Sequence, residues 1–178
     1  WVTTTEEEVI VDGINVTAPF KEQACTKADI LSQECQVIGA CNTLKKTDDG
    51  IIAFNTDYIG IMKTLLPYQT ETVLTPTTLV VGCGGAGKAA AYAACKMGNN
   101  VIIINRDIRK AEEFAQRLKK TMSDCTHITT CPLSDFSKAF KVAGTVIYTI
   151  PEAIPHLREL KKPHIRGGIF KPRPKLIL

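Results

Sequence analysis

The rhythm of hydrophobic and polar positions changes after residue 70. Before it, short apolar runs are broken by turn residues. Residues 8–18 (EVIVDGINVTA) hold two β-rich runs interrupted at Asp12-Gly13, a pattern that predicts strand, turn, strand. Pro19 predicts a helix at its first turn, continued by Lys21 and Glu22, and Cys25 to Glu34 keeps a helical composition. The runs Cys41–Lys46 and Ile51–Asn55 flank Thr47-Asp48-Asp49-Gly50, which predicts a hairpin. A further helix is expected from Asp57 through Leu66, stopped by Pro67.

After residue 70 short continuous apolar runs alternate with helical patterns. Thr78-Leu79-Val80-Val81 reads as a strand buried on both faces. It runs into Gly82-Cys83-Gly84-Gly85-Ala86-Gly87, an alanine-rich helix through Met97, and Gly98 as its stop. Val101–Ile104 is a second such strand, and residues 107–120 carry a charged amphipathic helix. A weaker strand near 126–130, a helix around 133–140 and a strand at 145–148 continue the alternation. Strand–helix–strand repetition predicts an α/β chain: a doubly wound, Rossmann-like domain over 58–178, preceded by a partial α/β domain over 1–57. Trp1 in place of Met, and the apolar run Pro174–Leu178 at the other end, read as cuts within a longer chain.

Composition adds exclusions. Hydrophobic residues make up 44% and charged residues 22%, which is globular rather than disordered. The net charge of +4 is scattered, with short clusters at Lys161-Lys162 and Lys171–Lys175, so no nucleic-acid stripe is expected. No apolar run reaches membrane-spanning length, and Trp1-Val2-Thr3 does not begin a signal peptide. Seven cysteines (25, 35, 41, 83, 95, 125, 131) show no CxxC spacing, which speaks against a metal site. They read as buried, reduced core residues in a cytoplasmic setting. His127, His156 and His164 lie outside every motif.

Gly82-x-Gly84-x-x-Gly87 has dinucleotide-fingerprint spacing, and its strand and helix flanks are those the motif requires. The first glycine permits the turn and the second lets the backbone approach a pyrophosphate. The third brings the helix, with its unsatisfied N–H groups, close to the sheet. Lys88 could add positive charge near phosphate, but reads first as an ordinary solvated helix residue. At about 20 residues past such a loop an NAD site places an acid on the ribose. Here Asn105-Arg106-Asp107 stands there; Asn105 is neutral and Arg106 suits a 2′-phosphate, which favours NADP. Asp107 is better read as the N-cap of the following helix. Arg109 and Lys110 suit phosphate contact and a plain helix surface equally.

Three segments of the first half place small polar groups at strand ends or helix starts: Gly13–Lys21, Gly39–Thr43 and Asn55–Gly60. In order, and followed by the glycine loop and Asn105-Arg106, they resemble the shikimate dehydrogenase family over about residues 13–120. Gly82–Met97 looks most like the forms fused to 3-dehydroquinate dehydratase. Tyr148-Thr149-Ile150-Pro151 is similar to the multifunctional aromatic-pathway proteins. The resemblance implies NADPH-dependent, reversible reduction of 3-dehydroshikimate to shikimate, possible fusion to or association with other enzymes of that pathway, and no nucleic-acid or membrane partner. It implies Lys21 as catalytic lysine and Asp57 as its partner carboxylate, with Thr17 and Asn42 on substrate hydroxyls. Gly82, Gly84, Gly85, Ala86, Gly87, Asn105, Arg106 and Lys110 fall on the cofactor side. Reducing a carbonyl needs hydride on carbon and a proton on oxygen, and a positioned ammonium can give that proton. Taken singly, Lys21 could be a solvated first-turn lysine and Asp57 a helix cap. The family's paired-serine segment has no counterpart in residues 1–12, and Tyr148 stands where an asparagine is common. Quinate/shikimate dehydrogenase activity, or a non-catalytic sensor using the same fold, are the competing expectations.

Overall fold

The computed structural model describes residues 11–68, 76–123, 125, 127–151 and 176–177. The first strand expected over residues 8–11, the basic clusters near 161 and 171, His156 and His164 lie wholly or mostly outside them. The chain divides into two units, Trp1–Thr56 and Asp57–Leu178, so that Asp57 falls with the second.

In the first unit the elements are β1 (Gly13–Asn15), α1 (Lys21–Lys27), β2 (Ile30–Leu31), α2 (Gln33–Ile38), β3 (Thr43–Thr47) and β4 (Gly50–Phe54). The sheet order is β1-β3-β4-β2, with β2 alone parallel to its neighbour. The hairpin forms as its turn residues predict, with Thr47 facing Gly50. Two expectations need correction. Pro19 does not open a helix: Ala18–Pro19 is cis, and the Phe20 N–H donates to the Thr17 carbonyl (2.9 Å), closing a turn before α1 begins at Lys21. The helical composition of 25–34 is also interrupted. Ile30 and Leu31 pair with Ile52 and Ala53, and the Asp29 carboxylate accepts the Ile51 N–H at 2.8 Å. A partner strand overrides local propensity here. Cys25, Cys35, Cys41, Leu44 and Ala53 form a buried cluster in this unit, and Ile38 and Ala40 are buried as well.

The second unit contains α3 (Asp57–Leu65) followed by a 3-10 turn through Pro67. Then come β5 (Thr77–Val81), α4 (Gly85–Lys96), β6 (Asn100–Asn105), α5 (Ile108–Thr121) and β7 (Ile128–Pro132), and finally α6 (Phe136–Val142), β8 (Thr145–Tyr148) and β9 (Leu176–Ile177). The sheet is parallel throughout, in the order β7-β6-β5-β8-β9. This is the doubly wound order, and the chain reverses direction across the sheet between β5 and β8. Leu79, Val81, Ile104 and Val146 pack with Phe136 and Ala139 of α6 and with Ala143 just past its end, while α4 packs against β5, β6 and β8. Both faces are covered, which is why the strands read as unbroken apolar runs. In α5 the buried residues are Ala111, Phe114, Ala115 and Leu118, the spacing of one helical face.

Helix α4 is crowded on all sides: Ala89, Ala90, Ala91, Ala93 and Ala94 are each fully buried. Tyr92 meets Tyr58 of α3 edge to face, with ring centroids 5.1 Å apart. Lys88 is buried rather than solvated, a further correction. Its Nζ lies 5.8 Å from the ring centroid of Phe114, a buried residue of α5, so that it meets an aromatic face rather than water. The cysteines also depart from expectation. Cys25, Cys35, Cys41 and Cys83 are buried thiols and Cys131 is a half-buried one, but Cys95 and Cys125 are joined in a disulfide. They are 30 residues apart in sequence, yet the end of α4 and the segment before β7 bring their Cα atoms to 5.1 Å, within the range a disulfide requires.

Candidate functional site

In the first unit backbone hydrogen bonds bring Lys21 and the residue before Thr17 to the sheet end that holds Asn42. The Val16 N–H, next to Thr17, donates to the Asn42 carbonyl (2.7 Å), and the Cys41 N–H donates to the Lys21 carbonyl (2.9 Å). Thr17 is exposed; Lys21, the first residue of α1, and Asn42 are half-buried. The Asn42 amide organises the strand end around it. Its Oδ1 accepts from the Thr56 N–H (2.9 Å) and from the Thr43 hydroxyl (3.1 Å), and its Nδ2 donates to Thr56 Oγ1 (2.8 Å). Asn55, fully buried, donates from Nδ2 to the Ala40 carbonyl at 2.9 Å. These bonds fix the backbone of Asn55-Thr56. Asp57 follows directly, half-buried at the first position of α3.

In the second unit the site grows from the carboxyl end of β5. The Gly82 N–H donates to the Ile104 carbonyl (2.7 Å), and Gly82 has φ 106°, in the region that glycine tolerates and other residues do not. Helix α4 starts within the fingerprint, at Gly85. A Cβ at Gly87 would overlap the Gly82 carbonyl, so the third glycine lets the helix start press against the turn. Gly84 is exposed, and a Cβ there would meet no heavy atom within 4 Å. An open backbone segment before a helix start, whose first N–H groups have no intrahelical acceptor, fits a pyrophosphate.

Asn105 joins this loop to the next turn. Its Oδ1 accepts the Cys83 N–H (3.2 Å) and its Nδ2 donates to the Asp107 carbonyl (2.9 Å). Asp107 is the N-cap of α5, its Oδ1 accepting the Arg109 N–H at 3.1 Å, as the sequence suggested. The exposed Arg109 Nε also lies 3.8 Å from that oxygen, a loose surface pair worth at most about 1 kcal/mol. Arg106 is exposed and Lys110 half-buried, and the Lys110 carbonyl accepts from the Cys83 thiol at 3.7 Å. Sequence reasoning passed over Thr149, whose hydroxyl backs the glycine loop. The readable signal is the strand order, which sets β8 beside β5.

Burial pushes the Cys41 thiol up to about 11. Cys35 is pushed upward too, by its hydrogen bond with Cys25 and then by burial, and Cys131 by burial. These are protonated core groups, not nucleophiles poised at neutral pH. Among the described residues no group of three or more His, Cys, Asp or Glu side chains is placed to hold a metal ion, and no helix is long and apolar enough to cross a membrane.

A glycine turn at the switch point of a parallel doubly wound sheet, opening a helix, defines the dinucleotide-binding class of α/β domain. Residues 66–161 match the shikimate / quinate 5-dehydrogenase family, and residues 2–44 match the shikimate dehydrogenase substrate binding domain. The chain belongs to the shikimate / quinate 5-dehydrogenase family. It is 32% identical to the NADP(+) shikimate dehydrogenase of Aquifex aeolicus over 94% of this chain and 61% of that one. With the Pasteurella multocida enzyme of the same name it shares 42% identity, over 59% of this chain and 39% of that one. The chain thus spans less than two thirds of these relatives' length. The fold is similar to shikimate 5-dehydrogenase from Thermus thermophilus in complex with NADP(H) and shikimate (TM-score 0.62, 30% identity, 80% of this chain and 49% of that one). It is also similar to quinate dehydrogenase from Corynebacterium glutamicum in complex with NAD (TM-score 0.67, 23% identity, 82% and 51% covered).

Proposed function

We propose that the protein is an NADPH-dependent shikimate dehydrogenase, which reversibly reduces the ketone of 3-dehydroshikimate to the alcohol of shikimate. The observation that carries the reading is the Gly82–Gly87 turn at the β5–β8 switch point, open above Gly84 and leading into α4, in a chain of this family. Its relatives' names support NADP(+) and shikimate as ligands. NADPH supplies the hydride when bound.

Gly82, Gly84, Gly85, Ala86 and Gly87 present backbone to the pyrophosphate. Asn105 holds that loop to the β6–α5 turn, and Arg106 and Lys110 contact the 2′-phosphate. On the substrate side, assigned to residues 1–57, Thr17 and Asn42 hydrogen-bond ring hydroxyls. Lys21 gives the proton that the carbonyl oxygen requires as hydride arrives at carbon, and Asp57 orients that ammonium and accepts from a substrate hydroxyl. The cofactor side is assigned to residues 58–178. A cytoplasmic setting, and a polypeptide shared or associated with other enzymes of aromatic biosynthesis, complete the reading.

The test is NADPH oxidation with 3-dehydroshikimate by the whole protein and by Lys21→Met. The variant is expected to lose turnover by at least about a hundredfold while still binding NADPH. Undiminished turnover would overturn the role of Lys21. Turnover with quinate but not shikimate, run in the oxidising direction, would move the substrate to the other ring.

A further inference from the structure

The glycine loop is held from a side that the fingerprint does not describe. At the carboxyl end of β8 the Thr149 N–H donates to the Val81 carbonyl at 2.9 Å, and the Thr149 hydroxyl donates to the same oxygen at 2.8 Å. Both lone pairs of that carbonyl are therefore engaged by one residue. The other half of the same peptide unit, the Gly82 N–H, is bonded to Ile104 of β6 at 2.7 Å. The Val81–Gly82 peptide is thus gripped by the strand on each side, at the point where the chain leaves the sheet.

The same hydroxyl occupies space that side chains would claim. A Cβ on Gly82 would lie 2.5 Å from Thr149 Oγ1 and 2.7 Å from Ile150 Cγ2, and a Cβ on Gly87 would lie 3.0 Å from that oxygen. One hydroxyl therefore sits against both the first and the third glycine. It packs where only glycine leaves room, and it bonds the carbonyl that sets the direction of the turn.

We propose that Thr149 is a positioning residue for the phosphate-binding loop: its hydroxyl fixes the Val81–Gly82 peptide and thereby the placing of Gly84 and the start of α4 against the cofactor pyrophosphate. The proposal rests on the dinucleotide-binding reading above. A hydroxyl that only filled space would be replaced without consequence by a methyl group of the same shape.

Thr149→Val makes that replacement, and Thr149→Ser keeps the hydroxyl while losing the methyl. NADPH affinity is read by fluorescence titration of the whole protein, with the unfolding midpoint of the cofactor-free variants measured alongside. Thr149→Val is expected to bind NADPH about five- to tenfold more weakly, the scale of one hydrogen bond, with Thr149→Ser within about twofold of the parent. A Thr149→Val protein that binds as tightly as the parent, or a Thr149→Ser protein weakened to the same extent as Thr149→Val, overturns the assignment and leaves the function standing. A parent protein that binds no NADPH overturns the function and the assignment together.

Discussion

Gly82 and Gly87 show how much a single missing side chain decides. Gly82 combines a positive φ with neighbours 2.5 Å and 2.7 Å from where a Cβ would stand, so an alanine there meets both backbone strain and overlap. Gly82→Ala is expected to lower stability by about 1–3 kcal/mol, read as a reduced urea midpoint at unchanged slope. An alanine at the exposed Gly84, where nothing stands within 4 Å, serves as the control and should leave that midpoint nearly unmoved. The spacing of the three glycines was legible in the sequence because the motif is local. Thr149 was not, since its partner Val81 is 68 residues away and only the sheet brings them together. The burial of Lys88 is illegible for the same reason, since the ring beside it belongs to Phe114 of another helix.

Elements were legible where their own residues determine them. The hairpin at Asp48-Asp49 and the face of α5 follow from turn chemistry and helical spacing, and the structure places them where the pattern did. Ile30–Leu31 escaped because a two-residue strand exists only through its pairing with β4. The start of α1 was misplaced because Pro19 serves a turn that Thr17 and Phe20 close. Position alone marks Asp107 as a cap, and its carboxylate does bond the Arg109 N–H. Replacing it, Asp107→Ala, is expected to cost about 1 kcal/mol, measurable as a lower thermal midpoint. Asn105, held to the Asp107 carbonyl rather than its side chain, should keep its bond to the glycine loop in that variant.

At the scale of the molecule, alternating strand and helix patterns announced a doubly wound sheet, and the order β7-β6-β5-β8-β9 is one. The Cys95–Cys125 link was beyond reach, since nothing in a 30-residue interval marks two cysteines as neighbours. The first unit's buried cluster of Cys25, Cys35, Cys41, Leu44 and Ala53, three of them thiols, carries a whole-protein consequence. Cys41, raised by burial from 9.0 to about 11, stays neutral when folded at a pH where the unfolded chain ionises. Its contribution is therefore fully present below pH 9 and is lost as pH rises towards about 11, with Cys35 shifted in the same direction. A urea midpoint that falls across that window, and falls less in Cys41→Ala relative to its own value at neutral pH, is the expected outcome. A midpoint equally steep in both proteins would refute it.

The alanine run of α4 limits how this chain can drift. Where five positions in successive turns carry only a methyl group and none sees solvent, there is nothing bulky to trim and no slack to absorb a branch. Exchanges to serine or glycine remain open there, whereas valine or leucine would push the helix off its strands and carry its glycine-bearing start with it.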